Sequence, residues 1–427
     1  MMIRTSILFV VAVTVAHAEL SEEAARTLRS LSALPHLTME FNWSATIEST
    51  RCPDFFVGTN ELARQVIALR RELIQSPGDP ERFLQLGQFL DTLDRDQEAK
   101  EAYANAARLF EPRAQASPRD GQLQARFAEA LRESGKPEEA EQILHAAVRT
   151  TPGVWHCWVG LGESLDSKGS KAIGGGLATG KAGLSTPKLL TEIGRWHPTE
   201  GQRNEAEAAW KEADNCFDKA VSLASQDAEA YLARASHRLR TLVKRRLIVR
   251  LRKKEKLTQN DKIKDVAAVM VSAEVCEDMA EAARLCPTNY VAVAWEGFAE
   301  FFLATASGDS SDRKLLDQIP AVRRKALLDT MQRLEKLADH PNLRVASGAL
   351  ETLGTIRLVS DPDLAGARAA FRRAFTLDRS RRQAWDIWIG LMADTEDWKA
   401  MVTACEERLQ FEDDAPIRLV IQSVRPG

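Results

Sequence analysis

Gly175 to Lys181 reads glycine, four residues, glycine, lysine, close to the loop that wraps nucleotide phosphates. That chemistry needs backbone N–H groups laid bare by glycine, a lysine for the phosphate charge, and a following Ser or Thr to hold Mg²⁺. Ala182 stands in the last of these places and no strand leads into the loop, so nucleotide binding and a bound cofactor are not expected. Hydrolytic chemistry has no better footing. There is no His-Glu-x-x-His, and Gly162-Glu163-Ser164-Leu165-Asp166 lacks the closing glycine that a nucleophile elbow requires. Of the histidines, His17 falls in a leader-like segment, while His145, His156 and His237 fall on predicted helices. Six cysteines (Cys52, Cys157, Cys216, Cys276, Cys286, Cys405) show no Cys-x-x-Cys spacing. Cys276 and Cys286 share a predicted helix, where ten residues rise about 15 Å, beyond disulfide reach. The thiols therefore read as small apolar residues between helices, with no metal site and no enzyme active site.

The strongest charge signal runs from His237 to Lys256. Lys244, Arg245, Arg246, Arg250, Arg252, Lys253 and Lys254 belong to it, interleaved with Leu239, Leu242, Val243, Leu247 and Leu251 at helical spacing. Such a helix can lie on an anionic membrane surface or an acidic partner, or it can be a solvated helix that packs by its leucines. Stacking aromatics are missing from the run, so nucleic acid is not an expected partner. Over the whole chain 58 Lys and Arg nearly balance 61 Asp and Glu, and partner chemistry must come from local patches.

The elements that would carry these residues are helices. Phe83, Leu86, Gly87 and Leu90 recur at steps of three and four, followed by Ala99, Tyr103, Ala106 and then Pro112. The order returns at Phe127, Ala128 and Leu131, then Ala140, Leu144, Ala147 and Pro152. It starts again at Trp158, Leu161, Gly162 and Leu165, a step of 34 residues from the second copy to the third. A fourth unit reads from Pro187, with Leu190, Ile193 and Gly194 and then Ala206, Trp210 and Ala213. Ala367, Phe371 and Ala374 mark a weaker unit. A last one runs from Trp385, where Trp385-x-x-Trp388-x-Gly390-Leu391 copies Trp155-x-x-Trp158-x-Gly160-Leu161. Gly87 and Ala99 sit where antiparallel helices cross and larger residues would hold the backbones apart.

The period, with large, small and large residues on one helix and alanine, a large residue, alanine and proline on the next, resembles the tetratricopeptide repeat family. The resemblance covers about residues 80–418 and implies an all-α, right-handed α-solenoid of stacked antiparallel helical hairpins. The units from Pro80 and Pro187 are about seven residues long for the period, which extended second helices would absorb. Glycines at 174, 175, 176, 180 and 183 each cost a helix about 1 kcal/mol relative to alanine, so 169–185 reads as a gap in the stack. The expected division is 1–18 leader, 19–58 cap, 59–227 repeats with that gap, 228–347 irregular repeats with the basic helix 237–256, and 348–427 closing repeats.

The resemblance also implies a scaffold that holds a protein, as an extended peptide or a helix, in a groove lined by first helices. In that register the wall carries Gln88, Asp91, Glu129, Glu163 and Asp166 at one end and Phe298 and Phe301 further on. Leu84, Gln88, Ala125 and Glu129 do not match the Lys, Arg and Asn that family members use to clamp a terminal carboxylate. The expected partner is thus a protein segment with basic residues and an apolar anchor, with no small-molecule substrate evident. Arg4, the apolar run Ile7–Val15 and the small residues Ala16 and Ala18 read as a secretory leader cut before Glu19. Export to a periplasm, secretory lumen or the exterior follows from that leader, with the mature chain soluble and its task in envelope or secretory-pathway assembly. Asn42-Trp43-Ser44 would be a glycosylation site in a eukaryotic source.

Overall fold

The computed structural model describes residues 59–92, 95–173, 198–253, 268–269, 272–295, 321–360, 364–378, 385, 388–389, 398–410, 418 and 421. Every regular element among them is an α-helix. The leader, the cap, the segment Gly175–Lys181, the helix expected from Pro187, Phe298, Phe301 and Lys254 lie outside these residues. The described chain falls into two compact units, Leu62–Pro287 and Thr288–Gly427.

In the first unit the helices are α1 (Thr59–Gln75), α2 (Pro80–Thr92), α3 (Asp96–Ala116), α4 (Gly121–Glu133), α5 (Pro137–Thr150), α6 (Trp155–Ala172), α7 (Glu200–Leu223), α8 (Ala228–Arg252) and α9 (Ala273–Leu285). Local chemistry sets their ends. The Asp120 carboxylate accepts from the Leu123 N–H and opens α4, while Thr199 and Gln202 cap α7 reciprocally. Between α4 and α5 the chain turns through Gly135 at φ +99°, a conformation that glycine adopts without strain, and Pro137 then starts α5.

Hairpins form by neighbours closing on small residues: α2 on α3, α4 on α5, α6 on α7 and α8 on α9. A methyl added at Gly87 would lie 2.6 Å from the Tyr103 ring, and one at Gly162 would lie 2.8 Å from Phe217. Ala99, Ala106, Ala128, Ala140 and Ala147 are all buried at such crossings. Trp210 and Phe217 are fully buried, each contributing about 2–3 kcal/mol through lost apolar surface. Cys157 and Cys216 are buried among these side chains, and the Cys157 thiol donates to the Gly121 carbonyl at 3.0 Å. The extra length of the first repeat does reside in its second helix: α3 has 21 residues against 14 in α5, and α7 is longer still at 24. Pro112 lies inside the extended α3.

Two arrangements differ from the expectation. Helix α7, assigned by pattern to a fourth unit, is the packing partner of α6. Its Trp210 fills the space beside Gly169 and its Phe217 the space beside Gly162. Helix α7 thus takes the position beside α6 that the pattern gave to the third unit's own second helix. Helix α8 is not a solvated strut. It is packed between α7 and α9 and also touches α6.

The second unit holds α10 (Ala321–Leu337), α11 (Leu343–Ser360), α12 (Leu364–Leu377) and α13 (Trp398–Leu409). It uses the same devices. Gly348 lies against the Tyr290 ring and Gly354 against Phe371. Trp385, the copy of Trp155, is buried and stacks on Phe375 with ring centroids 4.1 Å apart.

Candidate polar face and buried charge network

The first helices α2, α4, α6 and α8 of the larger unit are tied to one another by side chains on a single run of positions. Gln88 on α2 donates to Glu129 on α4 at 3.0 Å, and Arg126, one turn earlier on α4, donates to Glu129 at 3.2 Å. Arg132 on α4 donates to Glu163 on α6 at 2.8 Å, and Arg240 on α8 donates to Asp166 on α6 at 3.0 Å. Asp91 accepts from the Tyr103 hydroxyl at 3.4 Å. The expected groove residues Gln88, Asp91, Glu129, Glu163 and Asp166 are therefore brought onto one connected face, but Glu129, Glu163 and Asp166 are matched by arginines. Asp166 is buried and turned inward. What remains partly open is a pattern of alternating sign, with Arg126 and Glu81 the most exposed members of the face. Burial pushes the Glu81 carboxyl up, Arg126 opposes it, and Glu129 and Asp79 add to the rise.

At α8 the charges converge on buried acids. Arg234 forks onto Asp278 of α9 at 2.6–3.2 Å and reaches Asp218 of α7 at 2.8 Å; Arg238 adds a bond to Asp278 at 2.7 Å. Asp278 is buried, and desolvation leaves its carboxyl above the ordinary value despite both arginines. Further along, His237 is enclosed, its ring stacked on Phe217 at 4.6 Å. His237 Nε2 lies 2.9 Å from Asp214 Oδ1, and its Nδ1 lies 3.2 Å from Asp166 Oδ2 without hydrogen-bond alignment. Burial would raise Asp166, but Arg240, His237 and Lys244 hold it well below the usual carboxylate range.

The seven cations expected on an outer surface divide. Lys244 is buried, 4% exposed, with its ammonium 2.7 Å from Ser170 Oγ and 5.9 Å from the Trp210 ring centre. Burial pushes its pKa down to about 8, with Asp166 opposing and Arg240 assisting. Arg245 bonds Asp214 at 2.7 Å, and Arg252 bonds Glu200, Glu207 and Asn204 at 2.9 Å each. Arg246 and Lys253 are exposed and Arg250 is half-buried. Surface contact for Lys244 is thus corrected: its stem lies along the α7 interface and its head is inside. Sequence reading missed Ser170, Asp214 and Asp278 altogether. A signal was available in Arg234, Arg238, Arg245 and Arg252, which fall at steps of four, seven and seven and so form one stripe facing Asp214 and Asp218, themselves one turn apart.

The hairpin with large and small residues at fixed places now stands on both pattern and geometry, and residues 98–156 match a family model described as tetratricopeptide repeat. This stretch of the chain is tetratricopeptide repeat, and it runs from α3 to the first turn of α6. Among solved structures, the human IFIT1 dimer with m7Gppp-AAAA is similar at 12% identity, covering 81% of this chain and 70% of that one, with a TM-score of 0.33. Yeast Tom70 is similar at 12% identity, covering 85% of this chain and 91% of that one, with a TM-score of 0.21. At these scores nothing about their ligands passes to this chain. No curated protein matches it. No described helix is long and apolar enough to cross a membrane. No group of three metal-ligating side chains occurs among the described residues either.

Proposed function

We propose that the protein is a scaffold that holds another protein along the face built by α2, α4 and α6. Repeats of this kind are typically interaction scaffolds. The observation that carries the reading is the ladder Gln88–Glu129 and Arg132–Glu163, which joins successive first helices into one preorganised surface. A rigid surface loses little entropy when a partner segment lies down on it. The partner is an extended peptide or a helix. Because Glu129 and Glu163 already hold arginines, steering by a bare acidic strip is replaced by local pairing, and salt dependence should be weak.

The leader-like residues 1–18 support a setting in the cell envelope or secretory pathway. An anionic membrane surface is the lesser reading, because Lys244 is buried and Arg245 and Arg252 are already paired with acids of α7. The test is affinity capture with the chain beginning at Glu19, from an envelope extract of its own source, repeated with Arg126→Glu. A partner retained by the parent chain and lost with the variant supports the assignment. Equal retention by both places the ligand elsewhere.

A further inference from the structure

His237 of α8 is enclosed between acids carried by two other helices. Its Nε2 lies 2.9 Å from Asp214 Oδ1 on α7, and its Nδ1 lies 3.2 Å from Asp166 Oδ2 on α6. The ring is 1% exposed and stacked on Phe217, so its charge must be settled among these neighbours. A neutral imidazole has one N–H and one lone pair. Whichever nitrogen holds the proton, the other turns its lone pair on a carboxylate oxygen. Nδ1 is the nitrogen left without a hydrogen bond, buried and aimed at Asp166. A second ring proton converts that opposed contact into a charge-assisted bond, and one side chain then joins α8 to both α6 and α7.

The charges around the ring are of both signs. On α8, Arg240 donates to Asp166 Oδ2 and Arg245 to Asp214 Oδ2, and Lys244 also acts on Asp166. On α6 the Ser170 hydroxyl lies 3.4 Å from the other Asp166 oxygen. Arg234 and Arg238 of α8 are turned instead to Asp278 of α9 and Asp218 of α7. Burial and the cations work against a charged ring, while two carboxylates at contact distance work for it, so the fold supports both forms.

We propose that His237 is a proton-operated latch, fastening α8 to α6 when its ring is doubly protonated and slackening that joint when the ring is neutral. The step adds one proton to Nδ1 and alters no other bond. Glu163 stands on α6 three residues before Asp166, within the face assigned to a partner, so the latch sets how firmly that face is held. Only this consequence rests on the proposed function; the latch itself does not.

The purified full chain, with ¹⁵N in its histidine rings, is followed by NMR from pH 8 to pH 5.5. Amide hydrogen exchange is measured alongside and corrected for the intrinsic rate at each pH. His237→Gln deletes one set of ring resonances and so assigns it. In that set we expect one bare nitrogen at pH 8 and two protonated nitrogens at pH 5.5, while protection of residues 165–170 rises about 10-fold. In His237→Gln the same amides should keep level protection across the range. A ring that holds one protonation state throughout overturns the proposal, and so does a ring that titrates without a change in α6 protection. If His237→Gln fails to fold, Phe217→Leu assigns the ring by shifting the resonances of the imidazole stacked on it, and the parent's two pH curves decide.

Discussion

Replacing Lys244 by methionine should stabilise this protein at neutral pH. The stem keeps its place beside Trp210 and Leu247, while the buried positive charge is removed. The fall of the lysine pKa from 10.5 to about 8 corresponds to about 3 kcal/mol of unfavourable burial for the charged form. Below pH 8 the group is protonated in both folded and unfolded chains and that penalty is present in full. Between pH 8 and 10.5 the unfolded chain binds more protons than the folded one, so stability of the parent rises with pH through this window. Above it both forms are neutral and the penalty is gone. Ser170 keeps Asp166 as an acceptor, so little is lost in exchange. Urea midpoints at pH 7 and pH 10 measure the difference. We expect the methionine variant to exceed the parent by about 2–3 kcal/mol at pH 7 and the gap to narrow to about 1 kcal/mol or less by pH 10. A variant less stable than the parent at pH 7, or a gap that ignores pH, would refute the reasoning.

Asp166→Asn leaves Arg240 and Lys244 without their shared carboxylate and should cost about 3 kcal/mol, seen as a melting temperature about 6–12 °C lower. Because the folded Asp166 carboxyl titrates below its unfolded value, its contribution is present above about pH 4 and lost as pH falls further. A urea series from pH 5 down to pH 2 should therefore show parent and Asp166→Asn converging. Gly87→Ala drives a methyl into the Tyr103 ring and should cost about 1–3 kcal/mol. A neutral result by thermal denaturation would mean that α2 and α3 can part without loss.

The hairpins were legible because their determinants are local and periodic. Gly87 opposite Tyr103, or Ala140 beside Leu144, announces a crossing through residue size alone. The pairing of α6 with α7 was not, because the pattern continues unbroken through Pro187 and nothing in it says which helix fills the space beside Gly162 and Gly169. The face of first helices was placed by register, but its electrostatics were misjudged. Register says where Glu129 and Glu163 stand, and not that Arg126 leans onto the first from one turn away and Arg132 onto the second from the neighbouring helix. The same holds for α8, where leucine spacing located the apolar stripe while the cations seemed to fill the outside. Acids on α6, α7 and α9, of which Asp166 and Asp278 are buried, pair with those cations, and long-range pairing of that kind leaves no period in the sequence.

The central claim is that a partner protein lies along the first-helix face. A photo-crosslinking residue at position 125 on α4, replacing the half-buried Ala125 beside Arg126 and Glu129, tests it against one at position 142, replacing the exposed Gln142 on the second helix α5. Irradiated in its native extract, the chain should yield a discrete crosslinked protein from position 125 and none from position 142. Crosslinks from position 142 alone, or from neither position while the chain still co-purifies with its partner, would contradict the account.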